Sequence, residues 1–299
     1  KMLGESIVDK DLQRVLRARA IDRLLHEAFV PIEDVFYCQR EINSVYNSQG
    51  IPSPWHEVCE DCSGRFVDIS LRRLRYLGEH LAFRRDAKTV RSWLEDPNLL
   101  VERLSKLSHA YRTDEKEGEP SDALNTTPLQ RVWANSILDA FEDKNFIDQA
   151  GVLVERNPKD GETELGGYVI ADEFADRIYL SARNSAGSGK KSYGFSISDL
   201  NNSALLIPFH LHALFEDCSK YAGPSYWYPV TNNGRDDLCG CIEHASQVAY
   251  SQGLVITKLA GRNFNVDYFA TERNGIRKAE TRPKISQHQV ILDLGCYAY

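Results

Sequence analysis

The stretch ALLIPFHLH, residues 204–212, decides how this chain is to be read. It is a short, nearly continuous apolar run that ends in His-x-His and is flanked by Asn and Ser. Such a run reads as a buried β-strand rather than a surface helix. Successive side chains of a strand point to opposite sides, so His210 and His212 share one face. Further short segments of the same kind surround it: VLVE (152–155), GGYVIAD (166–172), RIYLSA (177–182), YGFSI (193–197), LVITKL (254–259) and FNVDYFA (264–270). Each is bounded by Gly, Asn, Asp or Pro, as strands are. A helix is expected among them at about 237–251.

Upstream the period changes from two to about 3.6. Residues 8–30 place Val8, Leu12, Val15, Leu16, Ile21, Leu24, Leu25 and Phe29 at helical spacing. Residues 67–83 and 89–111 read as further helices, and NSQGIPSP (47–54) as a loop. Residues 113–127, TDEKEGEPSDALNTT, are charged and poor in bulky apolar side chains, the composition of a linker or long loop. Thr127-Pro128 then opens a helix, with Thr as N-cap and Pro at the first helical position. Leu129, Val132, Trp133, Ile137, Leu138 and Phe141 form its apolar face. The expectation is an α+β protein. A helical region spans 1–112, a linker 113–127, and a mixed sheet flanked by helices 128–299.

Composition narrows the function. A formal charge of −7 argues against a general polyanion binder, so nucleic acid is not the expected partner. No apolar run approaches the roughly 18 residues of a membrane span. The N-terminus KMLGESIVDKDLQ lacks the apolar core of a signal peptide. Seven cysteines are an odd number in a chain long enough to need no disulfides. That suits a cytoplasmic protein, or a secreted effector that acts in a cytosol.

Two imidazoles on one face can bind one zinc ion, which prefers nitrogen and sulfur donors in tetrahedral geometry. Asn232-Asn233-Gly234-Arg235-Asp236-Asp237 is a turn-rich stretch leading into the helix LCGCIEHASQVAY. One of its two carboxylates suits an N-cap, leaving the other to bind metal. Glu164 stands at a strand entrance, ahead of two glycines that permit close backbone approach.

In this order, Glu164-Leu165-Gly166-Gly167-Tyr168, His210-Leu211-His212 and Asp237-Leu238 resemble the JAMM (MPN/JAB) metalloproteases, which include deubiquitinating isopeptidases. The resemblance covers about 128–271. It implies a JAMM-like domain in which His210, His212 and Asp237 bind Zn2+, Glu164 is the catalytic acid–base, and an amide or isopeptide bond of a protein, ubiquitin-like ones included, is cut. The family's Pro after His-x-His is Ala213 here, and Gly234 stands where its Ser would be. Those departures also fit an inactive binding or regulatory module on the same fold.

Other stretches carry weaker chemistry. Cys239 and Cys241 at a helix start, with His244 and the distant His288 and Asp293, are the parts of a cysteine hydrolase. Cys59 and Cys62, with His56 and Cys38, form half of a structural zinc pattern or are core thiols. Arg72, Arg73, Arg75, Arg84, Arg85, Lys88 and Arg91 form a basic run that reads as a solvated helix face or a phosphate contact. Residues 187–192, GSGKKS, lack the first glycine of a P-loop and read as a turn.

Overall fold

The computed structural model describes residues 10, 12–28, 73–110, 122–157, 165–172, 177–183, 205–212, 223–224, 250–274 and 286–299. Among them the helices are α1 (12–28), α2 (73–84), α3 (Ala87–Glu95), α4 (Pro97–Leu104), α5 (Pro128–Phe141) and α6 (Lys144–Arg156). The strands are β1 (Gly166–Ala171), β2 (Ile178–Arg183), β3 (Leu205–His212), β4 (Tyr250–Lys258), β5 (Asn263–Asn274) and β6 (Ser286–Ala298). The chain is an α+β protein.

The helix boundaries follow from capping chemistry. Asp86 caps α3 by accepting from the Thr89 N–H at 2.8 Å. Asp96 ends α3 and begins α4, accepting from the Asn98 N–H at 2.9 Å, with Pro97 in the first helical position. The helix expected over 89–111 is therefore broken at Asp96-Pro97 and ends at Leu104. Thr127 caps α5 in a reciprocal box with Gln130. The short 3-10 turn Ala123–Asn125 just before it buries Ala123, so the end of the expected linker is part of the fold.

Helix α5 is buried on every side from Leu129 to Phe141. A helix so enclosed must satisfy its polar face internally. The Arg131 guanidinium donates to the backbone carbonyls of Trp93 (3.0 Å), Thr126 (2.5 Å) and Leu94. About two turns further on, Asp139 accepts from Arg85 Nε (2.8 Å) and Nη2 (2.7 Å) and from Arg103 Nη2 (2.8 Å). The opposite face of α5 meets the sheet, where Phe141 stacks on Tyr297 with ring centroids 4.6 Å apart.

The six strands lie in the order β2-β1-β3-β4-β5-β6. Every neighbouring pair is antiparallel except β3 and β4, which are parallel. Pro208 pairs with β1 through Tyr168, and β3 joins β4 only from Phe209 onward. Proline cannot donate to a ladder, so β3 becomes a central strand just past it. Phe209, Leu211, Leu254, Ile256, Val266 and Tyr268 turn to the helices and enter one buried cluster with Ile21, Leu25, Leu77 and the α5 side chains. The alternate positions carry His210, Val255, Thr257, Asn265, Asp267, Phe269 and Asp293, all buried.

Two further expectations need correction, and one strand was not expected. VLVE (152–155) is not a strand but the last part of α6. Phe146, Ala150, Leu153 and Val154 are buried at helical spacing while Val152 is half exposed, a period visible only when the window extends back to residue 146. Residues 250 and 251 of the expected helix begin β4. The long strand β6 was not anticipated, because its polar start and its Gly295 hide the alternation. Gly295 sits at φ +97°, a conformation favouring glycine, with Leu107 against it. The expected strand 193–197, most of the helix 237–251 and the loop 47–54 lie outside the described residues.

Candidate functional site

His210 and His212 occupy the last turn of pleat in β3, with Leu211 between them in the helix-facing core. Strand alternation puts both imidazoles on the side of the sheet away from α5 and α6. Their ring centroids are 5.2 Å apart and the planes are tilted by 50°. His210 is buried at 3% exposure, while His212 is half-buried at the strand end.

Strand β1 begins where β3 ends. Gly166 pairs with His210, and the Leu211 N–H donates to the Leu165 carbonyl at 2.8 Å. Leu165 directly follows Glu164 in the sequence. The close approach expected of the double glycine is seen at Gly167, where a Cβ would lie 2.0 Å from the Ser181 carbonyl oxygen.

On the other side, parallel pairing sets His210 against Val255 and His212 against Thr257. The Thr257 hydroxyl accepts from the Gly223 N–H at 3.3 Å, which ties residues 223–224 to this end of β4. Parallel neighbours require a crossover rather than a hairpin. Here the connection is residues 213–249, which include Asp237.

Asn157, the residue that ends α6, joins these parts. Its side-chain oxygen accepts from the Leu165 N–H at 2.9 Å, and its side-chain nitrogen donates to the His212 carbonyl at 3.3 Å. Its backbone N–H closes the helix on Leu153 and Val154. Asparagine just after a helix is a recognised stop signal, but the reading of 152–155 as a strand hid it.

Glu164 and Asp237 themselves lie outside the described residues, so the structure places two of the four expected site residues. Two imidazoles on one face fit a tetrahedral ion as two of its donors. Among the described residues, no group of three or more His, Cys, Asp and Glu side chains converges to hold a metal. Cys38, His56, Cys59, Cys62, Cys239, Cys241, His244 and residues 187–192 also lie outside the described set.

Asp293, the distant acid considered for a cysteine hydrolase, is on β6, three strands from β3. It accepts from the Gly295 N–H at 2.9 Å and faces His109 Nδ1 at 3.3 Å. The basic run is largely spoken for within the chain. Arg75 pairs with Glu79, Arg91 with Glu95, Arg84 with Asp143, and Arg85 with Asp139. Burial depresses the Arg73 guanidinium to about 10.

Compared with known proteins, the chain matches no family model, no curated protein and no solved structure.

Proposed function

We propose that this chain is a zinc-dependent hydrolase of the JAMM type, cutting an amide or isopeptide bond in a protein substrate. The observation that carries the reading is the pair His210 and His212, presented on one face at the end of β3, beside the start of β1. The topology supports it, because Glu164 precedes the residue bonded to Leu211, and Asp237 belongs to the only connection between β3 and β4.

In this reading His210, His212 and Asp237 hold the ion. Zinc in such a site lowers the pKa of water and polarises a carbonyl. Glu164 takes the proton of the attacking water and delivers it to the leaving nitrogen. His210 is buried, and a charge interaction is stronger at a buried position than in water. A ubiquitin-like substrate and a place of action in a reducing cytosol belong to the same proposal.

The test is metal content followed by turnover. About one zinc per chain, lost in His210→Ala/His212→Ala, is the expected result, and Glu164→Gln should keep the zinc while abolishing cleavage of an isopeptide-linked substrate. Zinc lost only with Cys59→Ser/Cys62→Ser marks a structural site elsewhere and refutes the reading. Turnover that survives Glu164→Gln but dies with Cys239→Ala or Cys241→Ala marks a cysteine hydrolase. Zinc without turnover leaves a binding module, the outcome that Ala213 and Gly234 favour.

A further inference from the structure

We infer that Asn157 is a positioning residue of the candidate site: its side chain sets the spacing between the backbone of His212 and the backbone that leads into β1. The inference rests on the reading above for its functional meaning, but its geometry stands alone.

Side-chain amides offer a donor and an acceptor at fixed separation. Asn157 uses both, on two strands that also meet each other. Its oxygen takes the Leu165 N–H, its nitrogen reaches the His212 carbonyl, and the Leu165 carbonyl takes the Leu211 N–H. The three contacts close a small ring of hydrogen bonds around the end of β3. Leu165 lies just before β1 and His212 is the last residue of β3, still paired with Thr257 of β4 but with no β1 residue opposite it, so the β1 side of this corner is held by Asn157. A strand end of this kind frays unless a side chain ties it down.

The tie is anchored on a rigid body. Asn157 terminates α6, whose Phe146, Ala150, Leu153 and Val154 are packed in the core. It transmits the position of that helix to the half-buried histidine and to the strand start beside it. Partners that bond a metal ligand's own side chain are typically worth about 10–100-fold in metal affinity; Asn157 holds the backbone of His212 instead, so its effect on the imidazole is less direct.

Two variants separate the roles. Asn157→Asp keeps the acceptor for Leu165 and replaces the donor to His212 with an oxygen that repels its carbonyl. Asn157→Ala removes both. The backbone N–H that closes α6 is untouched in each. Two readouts are needed: zinc affinity by competition with a chromophoric chelator, and amide hydrogen exchange at Leu165 and Leu211.

In Asn157→Asp, zinc affinity should fall, by up to about tenfold, with the melting temperature nearly unchanged. In Asn157→Ala, exchange at Leu165 and Leu211 should quicken while that at Leu254 and Ile256 does not. Unchanged exchange at both amides overturns the inference, whatever the metal does. Quickened exchange with unchanged zinc affinity in Asn157→Asp also overturns it, since the residue would then be only a strand tie. If the wild type binds no zinc, the hydrolase reading fails separately, and exchange alone decides whether Asn157 sets the strand spacing.

Discussion

Glu272 offers a stringent test of the packing between α5 and the sheet. It lies on β5 with its side chain toward the helices, and the Thr127 hydroxyl donates to its Oε2 at 2.5 Å. The same hydroxyl oxygen accepts from the Gln130 N–H at 3.3 Å, so the cap of α5 and the strand share one atom. Burial raises the carboxyl from 4.5 to about 7, against the opposing pull of the Thr127 hydrogen bond. The fold therefore holds a proton that the unfolded chain releases at lower pH. The stabilisation this gives is complete below about pH 4.5 and is lost as pH rises through 7. One unit of separation is worth about 1.4 kcal/mol, so the full swing is about 3 kcal/mol. Glu272→Gln keeps an acceptor for Thr127 and carries no charge at any pH. Urea unfolding followed from pH 4 to pH 8 should show the wild type losing stability relative to the variant across that window. At pH 8 the variant should be the more stable by up to about 3 kcal/mol. Parallel curves for the two proteins would refute the argument, because they would mean that the carboxyl is not held neutral by the fold.

Three other outcomes are expected. Asp139→Ala should cost about 1.5–3 kcal/mol in chemical unfolding, since Arg85 and Arg103 lose their shared buried acceptor but, part-exposed, keep Glu142. Gly167→Ala should lower the melting temperature and quicken amide exchange along β1 and β2, because the added carbon has no room beside the Ser181 carbonyl; an unchanged melting temperature would contradict the register. Zinc in excess should raise the melting temperature of the wild type and not of His210→Ala/His212→Ala, and removing it with a chelator should reverse the rise. A shift that persists in the double variant would place the ion elsewhere.

How much of this was legible beforehand depends on how local the signal is. The strands at 166–171, 205–212 and 263–270 announce themselves through short apolar runs between turn residues. Thr127-Pro128 marks a helix start by capping chemistry alone. His-x-His required nothing more than strand periodicity to predict two rings on one face. Other features depend on partners far away in the chain. The polar stripe Arg131, Asn135, Asp139 of α5 looks solvent-facing until Trp93, Arg85 and Arg103 are brought against it. Val152 to Glu155 looks like a strand when only four residues are considered. Asn157 carried no signal once those residues were read as a strand, and its two hydrogen bonds exist only because β1 begins where β3 ends.

The enclosure of α5 bears on how the protein is made. The hydroxyl of its capping Thr127 finds its acceptor in Glu272, which is translated 145 residues later, and its sheet-facing side waits for Phe264 and Tyr297. A ribosome that has released α5 thus carries a helix with nothing yet to cover its greasy side, through the synthesis of almost half the chain. Contacts so distant in sequence form slowly and leave sticky surfaces exposed meanwhile. In the cell, the yield of soluble protein should depend on holding chaperones during that interval more than on the strength of the finished core.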